Sequence, residues 1–96
     1  MQTDSIQFEE TATKGRAYIG DAAEPQAEMT FSKAGTQMII IDHTDVAEGF
    51  QGKGLGRQLL NKMVALARER QVKILPLCPY AKSVFDKDPS IRDVLR

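Results

Sequence analysis

The sequence predicts an α/β protein of the α+β type, a mixed sheet with the element order β-β-β-α-β-α. Three observations predict it. Short runs of β-forming residues occupy the first half of the chain, and one longer segment of the second half has apolar residues at helical spacing. Two prolines then delimit a second, shorter helix. Elements in this order predict a sheet with helices packed on it.

The first half of the chain contains three predicted strands. Residues 16–20 form a short strand with β-branched and aromatic residues, and residues 21–26 form a turn that contains Pro25. Residues 27–32 form the second strand. A tight connection over residues 33–36 makes it the antiparallel hairpin partner of the third strand, residues 37–46. The third strand contains four consecutive apolar residues, which predicts a central strand covered on both faces.

The second half of the chain contains the two predicted helices. Leu55–Arg70 has an apolar stripe at the 3.6-residue period and ends in basic residues that suit the negative end of the helix dipole. Residues 73–77 form a short strand, parallel to the third strand through a right-handed crossover. Pro79 fits the first turn of a helix that runs to about Asp86, and Pro89 prevents its continuation.

Length and composition predict one folded domain over residues 1–96. The hydrophobic fraction is 42% and the charged fraction 27%, values that exclude a wholly disordered chain. One cysteine, Cys78, and one histidine exclude an internal disulfide and a zinc cluster of Cys and His, so no metal is expected. The longest apolar run, residues 38–41, is too short to cross a membrane, and residues 1–4 lack the basic start of a secretory signal. A cytoplasmic protein is therefore expected.

The charge of the chain is zero overall but unevenly distributed. Residues 1–48 carry nine acidic and three basic side chains, a net −6, so residues 49–96 carry a net +6. Such a distribution predicts that an anionic ligand approaches the C-terminal half and a cationic one the N-terminal half. Nucleic acid is not an expected partner, because the net charge of the chain is zero and the sequence shows no aromatic platform on which bases could stack.

Three glycines, Gly52, Gly54 and Gly56, lie where the third strand gives way to the long helix. Glycines allow backbone N–H groups to approach a ligand closely, and the free N–H groups of a helix start favour an anion such as pyrophosphate. The spacing does not fit a Walker loop, since Gly54 is followed by Leu55 rather than Lys. It does not fit a dinucleotide fingerprint either, because the third glycine comes too early.

The pattern Gln-x-x-Gly-x-Gly is formed by Gln51, Gly54 and Gly56. It resembles motif A of the GNAT acetyltransferase superfamily, which binds the pyrophosphate of coenzyme A, and the resemblance covers residues 27–85. The resemblance implies a minimal GNAT fold without the usual N-terminal helices, and acetyl-CoA as cofactor. It implies that these nine residues hold the cofactor: Thr44, Val46, Gln51, Gly52, Lys53, Gly54, Leu55, Gly56 and Arg57.

A second family segment, Asn-x-x-Ala-x-x-(Phe/Leu)-Tyr, aligns with Cys78, Ala81, Val84 and Phe85. The run Pro-Leu-Cys-Pro-Tyr over residues 76–80 resembles a short GNAT-like subgroup more narrowly. The family's Tyr, which in many GNAT enzymes protonates the coenzyme A thiolate, is Phe85 here and cannot do so. The mechanism therefore requires a different acid.

Three side chains are candidates for catalysis: Cys78, His43 and Tyr80. Cys78 precedes Pro79 at a helix start and lies where the family places an active-site side chain; nucleophile, acid and positioning group remain open as its role. His43 ends the central strand, and its ordinary titration range suits a base. Tyr80 can replace the missing acid.

The sequence thus predicts an acetyl-CoA-binding N-acetyltransferase that moves the acetyl group to an amine acceptor, a small molecule or a peptide. The alternative is a non-catalytic binder or adaptor that senses coenzyme A or acyl-CoA. The two differ in whether an amine causes release of free thiol from acetyl-CoA.

Overall fold

The computed structural model describes residues 6–96. Residues 1–4, which bear on the expected absence of a secretory signal, lie outside the described part. In chain order the elements are β1 (Ile6–Glu10), β2 (Lys14–Gly20), β3 (Pro25–Ala34), β4 (Met38–Val46), α1 (Leu55–Arg70), β5 (Lys73–Pro76), α2 (Pro79–Lys87) and a 3-10 helix (Pro89–Val94).

The strands form one five-stranded mixed sheet in the order β1-β2-β3-β4-β5. Strands β1 to β4 are antiparallel neighbours, and β5 is parallel to β4 over Met38↔Lys73 to Ile41↔Pro76. The predicted α+β mixed sheet is confirmed, and with it the β3–β4 hairpin and the parallel strand–helix–strand unit. The long helix begins and ends at the predicted residues.

The N-terminal strand β1 was not predicted, so the sheet has one strand more than expected. Its sequence, Ile-Gln-Phe-Glu-Glu, is short and has three polar residues, a weak strand signal by itself. Pairing along the whole of β1 with β2, from Ile6↔Ile19 to Glu10↔Gly15, supplies the hydrogen bonds that make it a strand. Only a short turn separates β1 from β2, but the residues of β1 by themselves do not indicate that they pair.

Proline 25 lies in a strand, whereas the sequence predicted a turn over residues 21–26. Strand β3 begins at Pro25, which pairs with Gly20 beside an irregularity in the register. The first residue of a strand tolerates proline, because the missing N–H is not needed there. The turn is therefore shorter than predicted.

One face of the sheet packs against the helices and forms the core. Ala17, Met29, Phe31 and Ile41 are at most 1% exposed on this face. Helix α1 contributes Leu59, Leu60, Met63 and Ala67, and α2 contributes Ala81 and Phe85. At about 25 cal/mol per Å² of apolar surface removed from water, this layer is the main source of stability.

The prediction that β4 is covered on both faces was wrong. Ile39 and Ile41 are buried, but Met38, Ile40 and Asp42, which alternate with them, are only half-buried. The opposite face of the sheet carries polar side chains from every antiparallel strand, among them Glu9, Arg16, Glu28 and Ser32, as hydrogen bonds between them show. This face, called the open face below, has no helix from residues 6–96 over it, which leaves room for a groove.

Candidate functional site

Strand β5 ends while its neighbour β4 continues, so the second half of β4 has no parallel partner within residues 6–96. The last paired residues are Ile41 and Pro76, and the amides of Leu77 and Cys78 then both donate to the carbonyl oxygen of Ile41, each at 3.1 Å. Beyond this point β4 runs on to Val46 with β3 alone as its partner among the described residues. The chain after Cys78 turns away into α2. A gap therefore opens beside the second half of β4.

On the helix face of the gap lies a cavity of about 330 Å³. We call it the loop cavity, because the glycine loop forms one wall and the end of β4 another. Seven of the nine residues predicted to hold the cofactor line it, together with Phe50 and Tyr80. The seven are Thr44, Val46, Gln51, Gly52, Gly54, Leu55 and Gly56.

The start of α1 leaves its first N–H groups without side-chain partners. Gly54 is the N-cap, with φ 75°, no side chain of the described residues caps the helix, and no acidic residue lies in its first turn. Gly52 also has a positive φ, 81°, and a Cβ at either glycine would meet no atom within 4 Å. Free N–H groups at the positive end of a helix dipole, beside open space, fit a pyrophosphate.

Gly56 serves a different purpose from the two loop glycines. Its φ is not in the left-handed region, but a Cβ at this position would lie 3.1 Å from Cζ of Tyr80. Tyr80, in the first turn of α2, therefore packs directly on the backbone of α1. Partial burial raises the pKa of the Tyr80 phenol, an effect that the nearby Arg57 charge only partly opposes. The phenol remains a proton donor at neutral pH.

The two predicted cationic residues do not line the loop cavity. The guanidinium of Arg57 forms an ion pair with Asp88 at 2.5 Å, and it also donates to the side chain of Asn61 at 2.9 Å. The ammonium of Lys53 lies over the ring of Phe50, 5.4 Å from its centroid. Both residues lie in the loop or the first helical turn, but their charged groups are engaged with these other partners.

Cys78 lies at the junction of the gap, where the strands separate. The residue is 4% exposed, and its thiol donates to the hydroxyl of Thr44 at 3.2 Å. This contact joins the start of α2 to the far half of β4, across the gap. Thr44 is one of the residues that line the loop cavity, so Cys78 orients a cavity wall.

His43 lies on the other side of the sheet from Thr44. His43 pairs with Thr30 and is exposed on the open face, whereas Thr44 pairs with the buried Met29. His43 and Leu77 line a second, larger cavity of about 690 Å³ on the open face, which we call the open-face groove. The structure thus brings Cys78, Thr44 and Tyr80 to one side of the gap and His43 to the other.

Sequence reasoning missed three features of the site. Phe50 is not among the predicted site residues, although it lines the loop cavity. The contact of Cys78 with Thr44 joins residues far apart in sequence, and no local signal predicts it. Leu77 is 62% exposed, a large apolar side chain beside the gap, and its place directly before the candidate Cys78 was the available signal.

Two further structural findings concern ligands and membranes. No three His, Cys, Asp or Glu side chains gather closely enough to hold a metal ion within residues 6–96. None of the helices of that same segment is long and apolar enough to span a membrane.

Comparison with known proteins identifies the family. The family model described as GCN5-related N-acetyl-transferase matches residues 16–94. A GCN5-like protein from Staphylococcus aureus, solved by NMR, is 34% identical, with a TM-score of 0.76 over 94% of this chain and 87% of that one. The chain belongs to the GCN5-related N-acetyltransferase family. The predicted GNAT membership and minimal GNAT fold are confirmed, and the family places the chain among the acyltransferases.

Two more distant GNAT structures share the fold. A ribosomal-protein-alanine N-acetyltransferase from Brucella melitensis biovar Abortus is 16% identical, with a TM-score of 0.66 over 80% of this chain and 62% of that one. A GNAT-family acetyltransferase structure from Staphylococcus aureus is also 16% identical, with a TM-score of 0.57 over 68% of this chain and 56% of that one. No curated protein matches the chain.

The GNAT assignment makes one departure informative. Phe85, at the position of the Tyr that many GNAT enzymes use as an acid, is 1% exposed within the core. Tyr80, one helical turn and more before it, is the tyrosine that lines the loop cavity. The chain's other tyrosine, Tyr18, lies on the open face, where its hydroxyl donates to Glu9.

Proposed function

We propose that this GNAT protein binds acetyl-CoA in the loop cavity and transfers the acetyl group to an amine acceptor. In this proposal residues 1–96 act as one cytoplasmic unit. The observation that carries the proposal is the loop cavity itself, in which an uncapped helix start faces the end of β4. A site with free N–H groups on one side and a strand end on the other suits a ligand with a pyrophosphate and an extended arm.

The glycine loop would hold the pyrophosphate through its backbone. Gly52 and Gly54 adopt conformations that a residue with a side chain reaches only with strain, and both line the cavity. Thr44 and Val46, on the wall formed by β4, would hold the arm. When bound, acetyl-CoA supplies the thioester: a C–N bond to the amine forms, the C–S bond breaks, and the sulfur receives a proton.

Tyr80 is our candidate for the residue that supplies this proton. The family's usual acid is absent, since Phe85 is buried and has no hydroxyl. Tyr80 lines the cavity, and its phenol is protonated at neutral pH, as an ordinary tyrosine is, because partial burial only raises its pKa further. We assign Cys78 the role of a positioning residue, because its thiol is engaged with Thr44. His43, exposed on the other side of the gap, would take the proton that the amine loses.

The experiment compares Tyr80→Phe with the matched control Tyr18→Phe. Tyr80→Phe should lower kcat by about 100-fold, the order of magnitude of general acid catalysis, while calorimetry gives an unchanged Kd for coenzyme A. Tyr18→Phe removes a hydroxyl from the opposite face and should leave both values unchanged. The assay measures free thiol released from acetyl-CoA over a panel of amines.

Three results would contradict parts of this proposal. An unchanged kcat for Tyr80→Phe would remove Tyr80 from the chemistry. If coenzyme A binds but no amine causes release of thiol, the protein is a non-catalytic binder. The absence of the family's usual acid is the observation that supports this alternative. Coenzyme A that does not bind would overturn the proposal as a whole.

A further inference from the structure

The open-face groove is larger than the loop cavity, about 690 Å³ against about 330 Å³, and the proposed cofactor does not use it. One end reaches the gap, where His43 and Leu77 line it. It crosses β3 at Thr30, and its other end lies at the start of β2, where Lys14 and Arg16 line it. The groove therefore leads from the proposed reaction centre to the N-terminal side of the sheet.

A β-bulge directs a carboxylate into the end of the groove near the gap. Strand β4 has one extra residue there, because Thr30 pairs with His43 and Phe31 pairs with Ile41, which leaves Asp42 without a partner. The Asp42 carboxylate accepts a hydrogen bond from Ser32 at 2.7 Å. It takes part in none of the ion pairs found in residues 6–96. Its negative charge is therefore available to a ligand.

The far end of the groove carries an available positive charge. Arg16 forms ion pairs with Glu9 at 3.2 Å and Glu28 at 2.6 Å, so its charge is compensated. Lys14 is exposed and, like Asp42, takes part in no ion pair of the described part of the chain. Lys14 pairs with Ser32, the residue that binds Asp42, so the two charges lie on the same face two strands apart, about 10 Å between backbones.

We propose that the acceptor is a small zwitterionic amine of the size of an amino acid or a dipeptide. Its amine lies at Asp42 and His43, next to the gap, and its carboxylate lies at Lys14. Asp42 attracts the amine in its protonated form, and His43 is the neighbouring group that can accept the proton. This inference rests on the proposed function and adds the acceptor's chemical class to it.

The rival occupant is a purely cationic amine, which the net −6 of residues 1–48 favours. Two of the three acids that line the groove argue against this choice, because Glu9 is paired with Arg16, and Glu10 with Lys33 and Arg70. The unpaired charges of Asp42 and Lys14 therefore determine which ligand charge the groove prefers, because the more distant charges are screened over about 8–10 Å.

The experiment uses glycylglycine and two derivatives, glycylglycinamide, which lacks the carboxylate, and N-acetylglycylglycine, which lacks the free amine. Amide shifts of the protein, with and without coenzyme A, report where each probe binds, and thiol release from acetyl-CoA gives kcat/KM for the two amines. We expect glycylglycine to shift residues 14–16 and 41–43 and to be used about fivefold better than its amide.

Two variants and one control sharpen the test. Lys14→Gln should lower kcat/KM for glycylglycine about fivefold and leave glycylglycinamide unchanged, whereas Asp42→Asn should lower both. Lys62→Gln, an exposed lysine of α1 far from the groove, should change neither. Calorimetry with coenzyme A should give the same Kd for all three variants.

Preference for the amide would overturn the zwitterion in favour of a cation. Probe shifts that avoid the groove, or kcat/KM values that ignore Lys14, would also overturn the inference. If coenzyme A binds normally in those cases, the proposed function survives. If coenzyme A does not bind but glycylglycine shifts the groove, the proposed function fails while the binding part of this inference stands.

Discussion

Gly15 has the tightest surroundings among the glycines of residues 6–96. A Cβ there would lie 2.5 Å from the carbonyl oxygen of Glu9 and 2.6 Å from Cζ of Phe31. The buried Phe31 ring stacks on Phe8, with 5.7 Å between centroids, and Gly15 is the strand position over which Phe31 extends. Gly15 is therefore required by packing, since its φ is not in the left-handed region.

We predict that Gly15→Ala destabilises the fold by about 1–3 kcal/mol, because the added methyl group must displace an aromatic ring or a strand. Denaturant unfolding measures the effect. Phe31→Leu replaces the ring that the new methyl group meets by a shorter side chain. The free energy of unfolding that this substitution loses should therefore be smaller in the Gly15→Ala background than in the wild type. Additive costs in this double-mutant cycle would show that the clash with Phe31 is not the cause.

At the scale of elements, one carboxylate of β1 links this strand to two elements besides its partner β2. Glu10 forms ion pairs with Lys33 of β3 at 2.6 Å and with Arg70, the last residue of α1, at 2.5 Å. The hydrogen bonds from Arg70 and Lys33 lower the pKa of Glu10 from 4.5 to about 2. The weak strand signal of β1 is thus supplemented by a link to two other elements.

This link makes the stability of the fold depend on pH. Because the folded-state pKa lies below the ordinary value, the contribution of Glu10 is complete above pH 4.5 and is lost as the pH falls toward about 2. Glu10→Gln should cost about 0.5–1 kcal/mol at neutral pH, a value reduced by solvent screening of these partly exposed pairs, and progressively less as the pH falls to about 2. Thermal unfolding across this range measures it.

Glu24→Gln is the control for this prediction. Glu24 is exposed in the β2–β3 turn and belongs to none of the ion pairs of the described residues. Its replacement should leave the acid limb of the stability curve unchanged. A curve for Glu10→Gln that runs parallel to the wild type down to pH 2 would contradict the assignment.

At the scale of the whole molecule, two separate cavities lie on opposite faces of one sheet, and each has lining residues beside the gap between β4 and β5. Consecutive residues of β4, His43 and Thr44, face the open-face groove and the loop cavity respectively. A ligand in the loop cavity would touch the glycine loop, the end of β4 and the start of α2 together. Its binding should therefore stabilise the fold as a unit.

We predict that coenzyme A at 100 times its Kd raises the Tm by about 10 °C or more, since such an excess adds about 2.7 kcal/mol to the folded state. Gly54→Glu should abolish the rise by placing a side chain and a negative charge at the helix start. Gly35→Glu is the matched control, because Gly35 also has a positive φ, 68°, and open space around it. It should lower the Tm of the free protein and keep the rise. Equal rises for Gly54→Glu and wild type would contradict the site.

Much of the fold could be predicted because its signals are local. The 3.6-residue apolar period specified α1 as Leu55–Arg70 without error at either end, and the glycine loop before it indicated the family. Apolar runs indicated β4, and Pro79 indicated the start of α2. Each of these features depends on residues within a few positions of one another, and such dependence is visible in a sequence.

The remaining features depend on residues that only folding brings together. Strand β1 forms because it pairs with β2. Position 56 requires glycine because the ring of Tyr80 packs against it, and not because of the loop conformation. The contact of Cys78 with Thr44 likewise spans 34 positions. The bulge that turns Asp42 into the open-face groove follows from the register of β3 against β4. Strand register, the face of the sheet that helices cover, and close contacts between side chains are properties of the packed sheet. They depend on how residues that are distant in sequence pack against one another. The sequence by itself therefore determined the family and located the glycine loop, and the tertiary structure decided which face of the sheet remains open.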